Sequence, residues 1–169
     1  MGTKSLLGAV CCGLAMAIAG GAVAGCGGGN DRLTAPQYSR AASELCRRGN
    51  RAVAQIEIPP LTDSPDAASG ASKAASHAMV RIVVVQRATI DDLRDVRPPE
   101  RFTGTVQKWI ALLDQGVDEL EVMSARLRAG HTDEALVYGA KATTLLDRAR
   151  ELAAPLRVTS CRGPVLPTL

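Results

Sequence analysis

ERFTGTVQKWIALLDQGVDELEVMSARL, residues 100–127, is the stretch on which the fold turns. Phe102, Val106, Trp109, Leu113, Gly116, Leu120, Met123 and Leu127 follow one another in steps of four and three without a break. That spacing puts all eight on one face of a helix with 3.6 residues per turn, and a face of that width must be buried against something. Arg126 and Arg128 sit where the negative end of the helix dipole favours cations, and Gly130 supplies a residue suited to a left-handed stop.

The segments on either side repeat the pattern. Ala35 to Ile56 predicts a first helix with a stripe of Tyr38, Ala41, Leu45, Gly49, Ala52 and Ile56, opened by Thr34 and Gln37 at capping-box spacing and ended by Pro59-Pro60. After a Ser/Pro/Ala/Gly-rich connection over Leu61 to Gly70, Ala71 to Val96 predicts a second, with Ala71, Ala75, Ala78, Ile82, Val85, Thr89 and Leu93 as its stripe and Pro98-Pro99 as its end. Ile82-Val83-Val84-Val85 alone has strand composition, but its flanks continue the helical period and no partner strand is in sight. Thr132 caps a final helix, Asp133 to Ala154, whose stripe is Ala135, Tyr138, Ala142, Leu145, Ala149 and Leu152. Four amphipathic helices joined by short connections predict an all-α fold, an up-down-up-down antiparallel four-helix bundle over residues 34–169.

The chain has 169 residues, 46% of them hydrophobic and 22% charged, which suits one globular domain and not a disordered tail. Lysine and arginine number 20 against 17 acidic residues, a surplus too small and scattered to indicate a nucleic-acid partner. The four aromatic residues, Tyr38, Phe102, Trp109 and Tyr138, are too few to build a stacking platform for single strands.

The first 33 residues have a different character. Lys4 precedes an uncharged apolar run from Leu6 to Gly25, the layout of a secretory signal. The run closes on Val23-Ala24-Gly25-Cys26, which resembles the lipobox of bacterial lipoproteins: an aliphatic residue, two small ones and a cysteine. The resemblance implies that a lipoprotein signal peptidase recognises Val23, Ala24 and Gly25, and that residues 1–25 are removed. It also implies that Cys26 carries a diacylglycerol at the new N-terminus, with a location on the outer, extracytoplasmic face of the cell membrane. A membrane-spanning helix is the competing reading of this run; six glycines among the first 25 residues, together with the lipobox, favour the cleaved signal. Residues 26–33, with Gly27-Gly28-Gly29, are expected to form a flexible tether behind the lipidated cysteine.

With Cys11 and Cys12 in the signal and Cys26 lipidated, Cys46 and Cys161 are the pair left in the exported domain, and an oxidising compartment favours a disulfide between them. The bundle topology allows it. Cys46 stands about 16 Å along the first helix from Ala35 at 1.5 Å per residue, and the tail from Leu156 to Cys161 spans a similar distance at about 3.3 Å per residue. A cysteine early in helix one and another in a short tail after helix four also resembles the pattern of small exported helical proteins of actinobacteria. That resemblance brings no functional residues with it.

The chain has no HExxH, GxSxG, SxxK or CxxC, and no glycine-rich phosphate loop ahead of a lysine. A di-iron bundle needs Glu-x-x-His pairs, and no glutamate here stands three residues before a histidine. His77 and His131 lie in different elements and read as surface residues rather than metal ligands. Arg47, Arg48 and Arg51, and likewise Arg94, Arg97 and Arg101, form basic groups that suit either a solvated face or contact with anionic polymers or lipid headgroups. No enzyme activity, cofactor or metal is expected. The sequence therefore points to a lipid-anchored, non-catalytic interaction or structural module that presents a helix face to another envelope protein. A carrier or sensor, holding a small apolar or lipidic ligand where Gly49, Ala75, Gly116 and Ala142 leave room between the helices, is the alternative. The carrier requires a pocket of several hundred Å³ lined by the buried stripes; the module requires a filled core and exposed apolar surface.

Overall fold

A computed structural model describes residues 32–60, 65–158 and 160–161, with backbone alone over 65–69. The expected signal, Val23, Ala24, Gly25, Cys26 and most of the tether lie outside the described residues, as does the chain beyond Cys161. Among the described residues there are four α-helices and no strand: α1 Ala35–Ala54, α2 Pro65–Asp95, α3 Thr103–Arg128 and α4 Thr132–Ala153, with single 3-10 turns at Glu100–Phe102 and Ala154–Leu156. Together they form a helical bundle closed by a disulfide between Cys46 and Cys161, whose Cα atoms are 4.9 Å apart, within the range such a bridge requires.

Helix α1 starts where Gln37 Oε1 accepts hydrogen bonds from both the backbone N–H of Thr34 (2.9 Å) and its hydroxyl (2.7 Å), so the expected Thr34–Gln37 pairing caps the helix. Helix α2 begins at Pro65, six residues earlier than the expected Ala71. Proline fits the first turn of a helix, where its missing N–H is not needed, so a Pro- and Ser-rich composition here marks a helix start rather than a connection. The β-branched run Ile82–Val85 is helical, with Ile82 and Val83 buried and Val84 facing outward.

The buried faces partly depart from the expected stripes. In α3 all the expected positions are buried except Phe102, which is half-buried in the 3-10 turn ahead of the helix. In α1 the buried face is Tyr38, Ala42, Ser43, Cys46 and Gly49; Ala41 and Leu45 are only half-buried, and Ala52 is exposed. The reason is the bridge, which turns Cys46 inward and carries Ala42 with it. In α4 Gly139, Leu146 and Ala153 are buried, and the expected Tyr138, Leu145 and Leu152 are half-buried. Its principal neighbour is α3, and the face is set by that single seam.

The seams are close. A Cβ on Gly116 would lie 2.9 Å from Leu146 Cδ2, and one on Gly139 would lie 3.2 Å from Met123 Sδ. A Cβ on Gly49 would fall on Thr89 Oγ1. Between α2 and α3 the buried Ser76 hydroxyl donates to the Ser124 carbonyl at 2.9 Å. Further along, Arg94 pairs with Asp114 and Arg87 pairs with Asp118. Where α4 ends, Arg157 adopts a left-handed conformation with φ 55° and the chain reverses. Ser39 Oγ donates to the Arg157 carbonyl (2.9 Å), and Asn50 Nδ2 donates to that of Ser160 (2.6 Å). Leu156, Val158 and Cys161 are buried beside them. The tail thus runs along α1 from Ser39 to Cys46 as the reach estimate required.

Candidate functional site

Among the described residues one concavity lies at the corner where α2 gives way to α3. Pro98 and Pro99 bar the helix from continuing, because proline lacks the N–H of the next turn and forces an extended residue before it. The chain then turns sharply through Glu100–Phe102 into α3. The turn leaves a groove of about 350 Å³, floored by Leu93, Val106 and Ile110, with Arg94 and Asp114 at one side and Thr103 at another. Leu33 and Arg32 clamp the chain to the same corner: the Leu33 N–H donates to the Arg97 carbonyl at 3.2 Å, and Arg32 donates to Thr103 Oγ1 at 2.9 Å and to the Pro98 carbonyl at 3.4 Å.

Charge along the α2–α3 seam is largely balanced internally. Arg94 bridges Asp91 and Asp114, and Arg87 lies 3.7 Å from Asp114 and 3.3 Å from Glu121 as well as pairing with Asp118. Asp114, the least exposed of these carboxylates, therefore faces two guanidinium groups across the seam and works as a structural clamp more than as a free acid. On α1, Arg47 and Arg51 both reach Glu44. The hydrogen bond and charge of Arg47, with Arg51 adding to them, hold the Glu44 carboxyl below the usual glutamate range. Arg101 stacks on Phe102, its guanidinium carbon 4.7 Å from the ring centre.

A second concavity, of about 390 Å³, surrounds the α3–α4 turn from Gly130 to Glu134 and is lined mainly by polar groups. His131 lies there, 3.2 Å from Glu134, whose carboxylate also faces Arg126. His77 is exposed on α2. Among the described residues no three His, Cys, Asp or Glu side chains are placed to hold a metal ion.

The largest core side chains are deeply buried. Trp109 is completely buried and Tyr38 nearly so, and the Tyr38 hydroxyl and Trp109 Nε1 have no hydrogen-bond partner among the described residues. Burial pushes the Tyr38 phenol up to about 12, because the charged phenolate would be taken out of water. Of the small residues expected to leave room for a ligand, Gly49 abuts Thr89 and Gly116 abuts Leu146, and Ala75 and Ala142 are buried. Among the described residues four large apolar side chains are exposed, Val80 and Val84 on α2 and Leu136 and Val137 on α4, with Val84 at 63% and Val137 at 55% exposure.

The sequence reading missed the groove, the Arg32 clamp and the serine seam. The groove arises from the geometry of a turn that apolar periodicity does not encode. Ser76 and Ser124 fell outside a search for apolar stripes, although both stand at helical spacing from core residues. No known protein family, curated protein or solved structure matches the chain.

Proposed function

We propose that the protein is an exported lipoprotein, held by a diacylglycerol on Cys26 at the outer face of the cell membrane, whose bundle acts as a non-catalytic interaction module. Val23-Ala24-Gly25-Cys26 supports the anchor. No helix among the described residues is long and apolar enough to cross a membrane, and the support for the anchor is the lipobox. The helices are read as up-down-up-down. The seam pairings support this: Leu33 meets Arg97, Ser76 meets Ser124, Arg94 meets Asp114, and Gly116 meets Leu146.

The observation that carries the module over the carrier is the close contact at Gly116, where even one methyl group would press on Leu146. Core glycines that already abut neighbouring side chains leave little room beside them for a ligand, while Val84 and Val137 offer apolar surface to a partner. Native mass spectrometry of the protein extracted gently from its own membrane tests this. The module reading expects no small molecule inside the bundle, and a protein partner that is lost when Val84→Glu or Val137→Glu is introduced. A stoichiometric apolar ligand that survives extraction and is displaced by Gly116→Val contradicts it.

A further inference from the structure

The outward face of α2 carries a pattern of its own. Lys73, His77, Val80, Val84, Ala88, Asp91 and Asp95 are all exposed. At about 100° per residue they lie within about 40° of one line down the helix, opposite the buried Ala75, Ile82 and Leu93. They follow one another in steps of four and three, the spacing of a helix-to-helix seam, and the order of steps is the same read from either end. Val84 is the centre, with Val80 and Ala88 four residues from it, His77 and Asp91 seven, and Lys73 and Asp95 eleven.

The chemistry is divided about the same centre. The middle is apolar, and Val84 is the most exposed large apolar side chain among the described residues. The N-terminal half holds Lys73, His77 and Arg81, and the C-terminal half holds Asp91, Asp92 and Asp95. No ion pair among the described residues engages Lys73, His77, Arg81, Asp92 or Asp95, and the contact that Arg94 makes with Asp91 is to Oδ1. A parallel pair of such helices would set Lys73 on Lys73 and Asp95 on Asp95. An antiparallel pair sets Val84 on Val84, Val80 on Ala88, His77 on Asp91 and Lys73 on Asp95, so every charged position meets its opposite or a hydrogen-bonding partner. The seam from Lys73 to Asp95 covers about 33 Å at 1.5 Å per residue.

We infer that the outward face of α2 is an interface with a second copy of this chain, packed antiparallel about a two-fold axis beside Val84. A two-fold axis requires one surface to complement itself, and this face meets that requirement in apolar centre, step order and charge. The inference rests on the reading of the bundle as an interaction module, and specifies the partner of its α2 surface.

The test is sedimentation of the full protein, extracted from its own membrane, in detergent with micelles in large excess over chains. The expected result is a reversible monomer–dimer equilibrium. Val84→Glu sets two carboxylates against each other at the axis and is expected to leave only monomer, while Val137→Glu on α4 leaves the dimer intact. Lys73→Asp turns both symmetry-related end contacts repulsive and is expected to weaken the dimer about tenfold, and adding Asp95→Lys to restore it to within about threefold. All four substituted positions are exposed, and the rescue by the second charge reversal is a readout that a folding defect would not give. A chain that stays monomeric at every concentration, a dimer that survives Val84→Glu, or a loss on Lys73→Asp that Asp95→Lys does not rescue overturns the inference. Native mass spectrometry separates it from the module reading. A monomer that holds a different protein overturns the second copy alone, and a monomer that holds no protein overturns both.

Discussion

Tyr38 concentrates the physics of this core in one side chain. Its ring is almost wholly buried near the start of α1, and its hydroxyl is buried without a hydrogen-bond partner among the described residues. Because folding raises the phenol from 10 to about 12, the folded state holds that proton more tightly than the unfolded chain does. The associated stability is fully present below about pH 10 and is lost as the pH climbs from about 10 to about 12, a change on the order of 2–3 kcal/mol. Denaturant melts across this alkaline window should show wild type losing stability that Tyr38→Phe retains. At neutral pH the variant should be equal or slightly more stable, since a hydroxyl that makes no bond is removed. Equal alkaline sensitivity in the two proteins would mean that the phenol is hydrated in solution.

The elements differ in how far their sequences announced them. Helix α3 is packed on two sides, by α2 and by α4, so its apolar face is wide and unbroken and seven of its eight expected positions are buried. Helices α1 and α4 gave the right periods but a rotated face, because their covering surfaces include a disulfide-held tail and a glycine seam that leave little mark on apolar spacing. The candidate site was less legible still. Pro98-Pro99 announced a turn, but the groove depends on where α2 and α3 come to rest, and Arg32 sat in a stretch read as tether. The reversal after α4 offers a direct check on an element boundary. Arg157 occupies a left-handed conformation, in which a side chain beyond Cα costs about 1 kcal/mol relative to glycine. Arg157→Gly should therefore raise the melting temperature by a few degrees, and a lowered value would show that contacts of the Arg157 side chain outweigh the backbone strain.

For the whole molecule, the bridge between Cys46 and Cys161 joins the two ends of the bundle across 115 residues of sequence. Helix α1 has α2 as its main helical neighbour and otherwise depends on the tail that the bridge holds in place. Cys46→Ser should accordingly cost about 4 kcal/mol by loop-closure entropy, seen as a large fall in the unfolding midpoint under oxidising conditions, with α1 the first region to lose hydrogen-exchange protection. An unchanged midpoint would show that the tail docks without it. Anchor and bridge make one account of an exported bundle stapled by a disulfide and leashed to lipid. Its most direct test is the intact mass of the unreduced protein taken from its native membrane. The account predicts a chain that begins at Cys26, carries a diacylglycerol and lacks two hydrogens for the Cys46–Cys161 bridge. An unmodified chain that still carries residues 1–25, or one in which Cys46 and Cys161 both react as free thiols, would contradict it.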